Sequence, residues 1–170
     1  MRRQQEPQEA GAVGMPRPCE FLFTESSPHL GGQELQLLQQ MRQLRQLDHS
    51  VALACRPASR IREQAQALGL RVIPLPFRNL VDMATWRGLR RLFAQERPRC
   101  VICHSGHDAN LAALAARLVR RRPRLVRSKT YVAGQPSTWS HNHLVDATMI
   151  DRNSLFQRRG RAPDKSTVKR

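Results

Sequence analysis

The chain is short of lysine, of acidic residues and of aromatic rings. Among 29 basic residues only Lys129, Lys165 and Lys169 are lysines, and 13 Asp and Glu stand against them. Aromatic residues make up 5% of the 170 positions. That scarcity, with no helix-turn-helix, zinc-finger or RNP pattern, disfavours a nucleic-acid-binding module. No apolar run approaches the roughly 18–20 residues of a membrane span. Arg2 and Arg3 are followed by no apolar stretch, so the N-terminus does not read as a signal peptide. Cysteine is sparse too. Cys19, Cys55, Cys100 and Cys103 lie in apolar runs and read as reduced thiols of a cytoplasmic protein, not as a disulfide framework.

Arginine is what the chain has in excess. The formal net charge is +16 at pH 7. Residues 155–170 hold six basic residues and one acid, but 19–154 still hold twenty against ten, so the folded part is basic as well. Such a surface favours anionic partners: phosphate groups, nucleic acid or an acidic membrane face.

Three regions follow from composition. Residues 1–17 are rich in Gln, Glu, Gly and Pro, lack periodicity and read as disordered. Residues 18–154 carry regular patterns. After Ser154 the pattern stops, and 155–170 reads as a basic, disordered tail. Within the middle region strands and helices alternate. Strands are expected at 19–24, 50–55, 71–76, 100–103, 124–132 and 147–151. Helices are expected at 32–47, 58–68, 81–96, 108–121 and 137–145. The helix faces are Leu35, Leu38, Met41 and Leu44; Met83, Trp86, Leu89 and Phe93; and Leu111, Leu114, Ala115, Leu118 and Val119. Gly69 reads as a C-cap, and Pro74 points to an edge strand. Short strands apolar throughout, alternating with helices, predict a doubly wound parallel sheet, an α/β domain of Rossmann-like type. Its ligands belong at the C-terminal strand ends, in the loops 24–34, 55–58, 76–81, 104–108 and 129–137.

Two of these loops carry candidate chemistry. In "TESSPHLGGQEL" Gly31 and Gly32 open a helix. Either a ligand approaches the backbone there and uses the helix N-terminus, or the pair is simply a turn with a flexible helix start. No Lys-Ser/Thr follows and the spacing is not G-x-G-x-x-G, so neither dinucleotide nor P-loop fingerprint applies. In "CVICHSGHD" a zinc site drawn from Cys100, Cys103, His104 and His107 fails on geometry. Side chains at 100 and 103 of one strand point to opposite sheet faces. The thiols belong to the core, while His104, Ser105 and His107 line the strand-end loop and Asp108 suits an N-cap. His104 then binds a substrate hydroxyl, acts as a base, or is a loop histidine without a task. The basic helix 81–96 either packs its apolar stripe on the sheet or lies on an anionic membrane. The run "RLVRRRPR" is a solvated helix end or a contact for a phosphate-rich surface.

In order and spacing these segments resemble the family 4 glycosyltransferases, which have the GT-B fold. The resemblance runs through "FLFTESSPHLGGQELQLLQQMRQLRQLDHSVALAC", "PRCVICHSGHDANLAALAARL" and "LVDATMIDRNS", over about residues 19–154. It is nearest to bacterial enzymes that build lipopolysaccharide or other surface glycans. It implies a single, N-terminal, acceptor-side half of a GT-B enzyme. Gly31 and Gly32 then face the interdomain cleft near substrate, often the donor's phosphates. His104 and Ser105 sit on the acceptor side, with His104 the catalytic candidate and Ser105 and His107 substrate-binding. Ser128-Lys129-Thr130 stands where such enzymes commonly carry a further histidine; Lys129 remains a candidate anion contact.

No metal and no resident cofactor are expected, only a nucleotide-sugar as the donor substrate of the intact enzyme. The donor-binding half has no counterpart in the chain, which therefore reads as truncated or split and inactive alone. The expected partners are a glycan or lipid-linked acceptor, an anionic membrane surface and a separate C-terminal half. The expected location is cytoplasmic, peripheral on the inner face of the membrane. The alternative is a basic α/β protein that binds nucleic acid or a membrane surface without catalysis.

Overall fold

The computed structural model describes residues 18–79, 81–129, 147–150 and 155–158. The order of elements is β1 (Phe21–Glu25), α1 (Gly32–Gln46), β2 (Val51–Cys55), α2 (Arg60–Ala67), β3 (Arg71–Pro74), α3 (Met83–Glu96), β4 (Cys100–Cys103), α4 (Gly106–Arg117), β5 (Arg124–Lys129), β6 (Ala147–Ile150) and β7 (Leu155–Arg158). They form one sheet in the order β3-β2-β1-β4-β5-β6-β7. The first six strands are parallel. β7 runs antiparallel to β6. This is the α/β, doubly wound, Rossmann-like sheet that the alternation predicts.

Side-chain alternation sorts each strand between two cores. Leu22, Ala52, Ala54, Val101, Cys103 and Leu125 face α3 and α4, against Leu89, Phe93, Leu111, Ala112 and Ala115. Phe23, Val51, Leu53, Cys55 and Ile102 face α1 and α2, against Leu37, Leu38, Met41, Ile61 and Ala65. Cys100 packs with the second group and Cys103 belongs to the first, so the two thiols do lie on opposite faces. Small residues set the spacing on the first face. α4 lies down on its alanines, and Gly88 of α3 receives Leu75, whose Cδ2 would stand 2.5 Å from any Cβ placed there.

Caps fix the helix ends. Asp82 accepts hydrogen bonds from the N–H groups of Ala84 and Thr85, the side-chain satisfaction that a helix start requires. α2 ends at Leu68, and Gly69 takes φ +65°, a left-handed position suited to glycine. Arg45 then donates to the carbonyls of Leu68 and Gly69 at 3.0 and 3.1 Å. β3 is an edge strand, as Pro74 indicates.

Several expectations need correction. Leu35, Met83, Leu114 and Leu118 are about half exposed. The buried sides are turned toward Leu37 in α1, Thr85 and Leu92 in α3, and Ala112 and Ala116 in α4. Leucines at i+3 and i+4 fit more than one face, and the close sheet approach selects the small side chains. Leu155–Arg158, placed by pattern in the disordered tail, forms β7. A strand can be specified by pairing with an available edge without any period of its own. The expected helix 137–145, the strand positions 130–132, and the expected disorder of 1–17 and 159–170 lie outside the described residues.

Candidate functional site

In a doubly wound sheet ligands sit where the strand order reverses. Here β1 continues to β2 on one side and meets β4 on the other. The C-terminal ends of β1 and β4 therefore define the site. The structure brings Gly31, Gly32, His104, Ser105 and His107 to that edge. Lys129 closes β5, next to β4 in the sheet.

Asp108 is the organising residue, and not in the way its sequence position suggests. Ser105 is the N-cap of α4, while Asp108 is the third helical residue of a reciprocal capping box. Fully buried, Asp108 accepts from Thr24 Oγ1 at 2.7 Å, from Ser105 Oγ at 2.7 Å, and from the N–H groups of Ser105, His104 and Ala109 at 2.9, 3.3 and 2.9 Å. It thus ties the end of β1 to the β4–α4 loop. Burial nevertheless pushes its carboxyl above the usual aspartate value. Ser26 and Ser105 share a hydrogen bond of 2.8 Å across the same gap. The Ser105 hydroxyl is therefore occupied in the framework.

On the opposite face lies His104. It is 4% exposed, so it sits beneath the rim and does not line an open loop. Its ring stacks on Phe23 with centroids 6.0 Å apart and planes at 24°. Its carbonyl accepts from Gln33 of α1 at 2.8 Å. Among the described residues neither ring nitrogen completes a full hydrogen bond, and the Thr24 main chain interacts only weakly with the ring. Burial holds the imidazole down at about 4, partly offset by the Thr24 main chain. The ring is thus neutral at pH 7. Nearer the rim, His107 Nε2 is also buried without a partner.

The glycines have separate explanations. Gly31, the N-cap of α1, has φ −129°, which any residue adopts. Its N–H donates to Glu34 Oε2 at 2.7 Å, and a Cβ on Gly31 would stand 3.2 Å from that oxygen. At Gly32 a Cβ would meet nothing within 4 Å. The fold itself therefore does not require glycine at position 32.

Sequence reasoning missed Glu25. It is fully buried; Oε1 accepts from the Ser27 N–H at 2.8 Å, and among the described residues Oε2 has no partner. Burial, then the nearby Asp108 and Glu34, push its carboxyl up to about 7. A glutamate at the end of the apolar strand "FLFTE" was the available signal. Arg127 is a second case, a cation inside a strand covered on both faces. Its guanidinium passes close to Gly106, and its Nε is buried without a partner. Taken together, the β1–β4 edge collects three carboxyl groups, serine hydroxyls and two histidines in a chain of net charge +16. Such groups pair with hydroxyls. With the Gly31 N–H already given to Glu34, this is no ready-made phosphate cradle. Among the described residues no three His, Cys, Asp or Glu side chains gather as a metal site.

The sequence pattern of the glycosyl transferase 4-like domain matches residues 31–160. The chain belongs to that family. Its fold is that of an N-terminal domain of GT-B glycosyltransferases. Among solved structures it is similar to MurG of Acinetobacter baumannii, with a TM-score of 0.60 at 14% identity over 77% of this chain and 41% of that one. It is likewise similar to Alr3699/HepE of Anabaena in complex with UDP-glucose, with a TM-score of 0.60 at 13% identity over 76% of this chain and 36% of that one. The same protein in complex with UDP and glucose matches over 77% and 38%. The chain therefore spans about two fifths of the length of these structures. No curated protein matches the sequence.

Proposed function

We propose that this chain is the acceptor-side half of a nucleotide-sugar-dependent glycosyltransferase that builds lipopolysaccharide or another surface polysaccharide. The observation that carries the reading is the β1–β4 edge. Buried His104, its ring nitrogens short of a full hydrogen bond, lies there beside the open approach at Gly32, amid carboxyl and hydroxyl groups suited to a sugar. A buried polar atom left without a partner costs about 1–3 kcal/mol. A ligand hydroxyl that reaches His104 returns that energy as binding. In the completed enzyme His104 accepts the hydrogen bond, and then the proton, of the acceptor hydroxyl. Gly32 and His107 bound the sugar, Ser105 holds the loop, and Lys129 at the end of β5 meets donor phosphate.

Alone, the chain lacks a second wall to orient donor against acceptor, and orientation is a large share of such catalysis. It therefore transfers no sugar without a donor-binding C-terminal half. The presence of UDP and glucose in the HepE structure supports a nucleotide-sugar as donor.

The reading includes a cytoplasmic chain at the inner face of the membrane, holding a lipid-linked acceptor. The support is a groove between the C-terminal ends of α3 and α4, lined by Arg90, Arg97, Arg120 and Arg121 over Phe93, Ala94, Leu118 and Val119. Among the described residues no carboxylate lines it, and guanidinium groups over an apolar floor suit anionic headgroups. Among the described residues no helix is long and apolar enough to cross a membrane.

Saturation-transfer NMR on the purified chain tests the acceptor assignment. Oligosaccharides from surface glycans are expected to receive saturation, and the signals of Gly32 and His107 to move, while UDP-sugars leave both unchanged. Binding of UDP-sugars with no response to any glycan overturns it. Sugar transfer by residues 1–170 alone overturns the predicted inactivity.

A further inference from the structure

The turn from Ser27 to Gly31 is fastened at each end by a carboxyl group. Glu25, the last residue of β1, accepts from the Ser27 N–H through Oε1 at 2.8 Å. Glu34, in the first turn of α1, accepts from the Gly31 N–H through Oε2 at 2.7 Å. Between these ends Pro28 and His29 are exposed. The Pro28 carbonyl takes only a long bond of 3.4 Å from the Arg60 N–H. Glu34 is buried, and Glu25 is completely so. Among the described residues Glu25 Oε2 has no partner.

The charges that act on Glu25 are of one sign. Asp108 from α4 and Glu34 from α1 both repel its ionised form, and after burial they push its carboxyl up to about 7. From β2 it meets the Cys55 thiol. Arg62, the cation that acts on that thiol, donates to the Pro57 carbonyl at 2.6 Å. Arginine is plentiful in a chain of net charge +16, yet among the described residues none pairs with Glu25 or Glu34. Such a pair calls for a cation that brings several donors. That cation is not a metal, since among the described residues no three His, Cys, Asp or Glu side chains gather to hold one. A primary ammonium has three donors and needs no fixed coordination geometry. It also displaces a neutral main-chain N–H from a carboxylate, because charge-assisted hydrogen bonds are roughly twice as strong. We propose that Glu25 and Glu34 form an ammonium subsite inside the Ser27–Gly31 turn, and that the acceptor saccharide carries a free amino group. Assigning the ammonium to the acceptor rests on the reading given above; the subsite itself does not. The ammonium bonds Oε2 of Glu25 and an oxygen of Glu34, and the turn admits it by releasing the Ser27 or Gly31 N–H. N-acetylation removes the charge and leaves one N–H, so an acetylated sugar forfeits the subsite.

Carbon NMR of the glutamate carboxyl groups in the full chain tests the subsite, with the signals assigned through Glu25→Gln and Glu34→Gln. The first probe is methylammonium chloride against sodium chloride at equal ionic strength. The second is the glucosamine disaccharide against its N-acetylated form and the glucose disaccharide of the same linkage. Glu63, exposed on α2, is the internal reference. Methylammonium is expected to move the Glu25 and Glu34 carbons well beyond that of Glu63, where sodium moves none of them. Each substitution weakens the response left at the other glutamate, so one variant decides the matter even where the other does not fold. The glucosamine disaccharide is expected to bind about tenfold more tightly than either neutral one. Glu25 and Glu34 carbons that respond to methylammonium and to the glucosamine disaccharide no more than Glu63 does overturn the proposal, and so do three disaccharides bound alike. A response to methylammonium while no disaccharide binds upholds the subsite and defeats the acceptor reading, so the two failures are distinguishable.

Discussion

Replacing His104 by Phe should make the protein more stable, and increasingly so as the pH falls. Phenylalanine keeps a ring against Phe23 and removes two buried nitrogens that complete no full hydrogen bond among the described residues. At pH 7.5, where the imidazole is neutral in both folded and unfolded chains, the gain is about 1–2 kcal/mol after some crowding by the larger ring. Below that the histidine itself becomes a liability. Its value is about 4 in the folded chain against 6.5 when exposed. The unfolded chain therefore binds more protons between these limits, and wild-type stability falls as the pH drops from 6.5 to 4. The interval is worth roughly 3 kcal/mol. The Phe variant escapes that loss, so its advantage widens by about that amount. Glu25 acts in the opposite sense. Its carboxyl is raised from 4.5 to about 7, so the folded chain holds a proton that the unfolded chain has released. Stability is lost as the pH rises from 4.5 through 7, again by roughly 3 kcal/mol. In the wild type the two slopes oppose each other between about pH 4.5 and 6.5 and hide one another. Glu25→Gln removes only the second, so its advantage grows with rising pH. Urea unfolding at pH 4, 5, 6 and 7.5 reads both. With m-values of about 1–3 kcal/mol/M, the widening of about 3 kcal/mol moves the midpoint by on the order of 1–3 M. A stability gap between His104→Phe and wild type that stays constant with pH would refute the reasoning, because the ring would then titrate as an exposed one.

The remaining predictions concern the framework. Asp108→Ala leaves five donors without their acceptor at the β1–α4 junction and should cost at least about 3 kcal/mol by denaturant unfolding; a loss below 1 kcal/mol would mean that water or another group replaces it. Gly88→Ala drives a Cβ into Leu75 and should cost about 1–3 kcal/mol, with Leu75→Ala in the same chain relieving part of the strain; no such relief would place the cost elsewhere. Gly32→Ala meets no atom of the described residues, so thermal unfolding should show unchanged or slightly higher stability, at most about 1 kcal/mol, together with weaker saccharide saturation transfer. Equal binding by Gly32→Ala and wild type would remove position 32 from the site. Burial pushes the Cys19 thiol up to about 12 and that of Cys103 well above its usual value, so neither should react with a thiol reagent at pH 8 until urea unfolds the protein; prompt labelling of either in the native chain contradicts this.

How far the sequence speaks depends on the scale of the question. The sheet was legible because apolar runs such as Val51–Cys55 and Cys100–Cys103 are short and bounded by Gly, Pro and charged residues, and because helices with a 3.6-residue period separate them. Gly69 and Pro74 announced a helix end and an edge strand for reasons local to each residue. Helix faces were less legible. Leu114 and Leu118 follow the apolar period as well as Leu111 does, yet α4 buries alanines, since the distance between helix and sheet is a property of two elements and not of one. β7 was illegible for a similar reason: Leu155–Arg158 has no period of its own and becomes a strand only by pairing with the edge of the preceding strand, β6.

The site shows the same limit most sharply. His104, Ser105 and the two glycines could be named because they stand at strand ends. What they do there depends on register. Asp108 read as a cap until Thr24, 84 residues earlier, proved to share its carboxylate. Glu25 is an ordinary strand residue in the sequence, and only the fold buries it completely at the end of β1. A one-residue slip of β1 against β4 would keep every cap and both helices, yet it would take the Thr24 hydroxyl away from the Asp108 carboxylate. The chemistry proposed for this edge is therefore specified by the same apolar contacts that fix the slip, Phe23 against Ile102 and Leu22 against Val101. A substitution such as Ile102→Ala should accordingly loosen the Thr24–Asp108 hydrogen bond, read as faster exchange of the Ser105 and Ala109 amides, before it unfolds the domain; unchanged protection up to the point of unfolding would show that the loops, and not the strands, hold the junction.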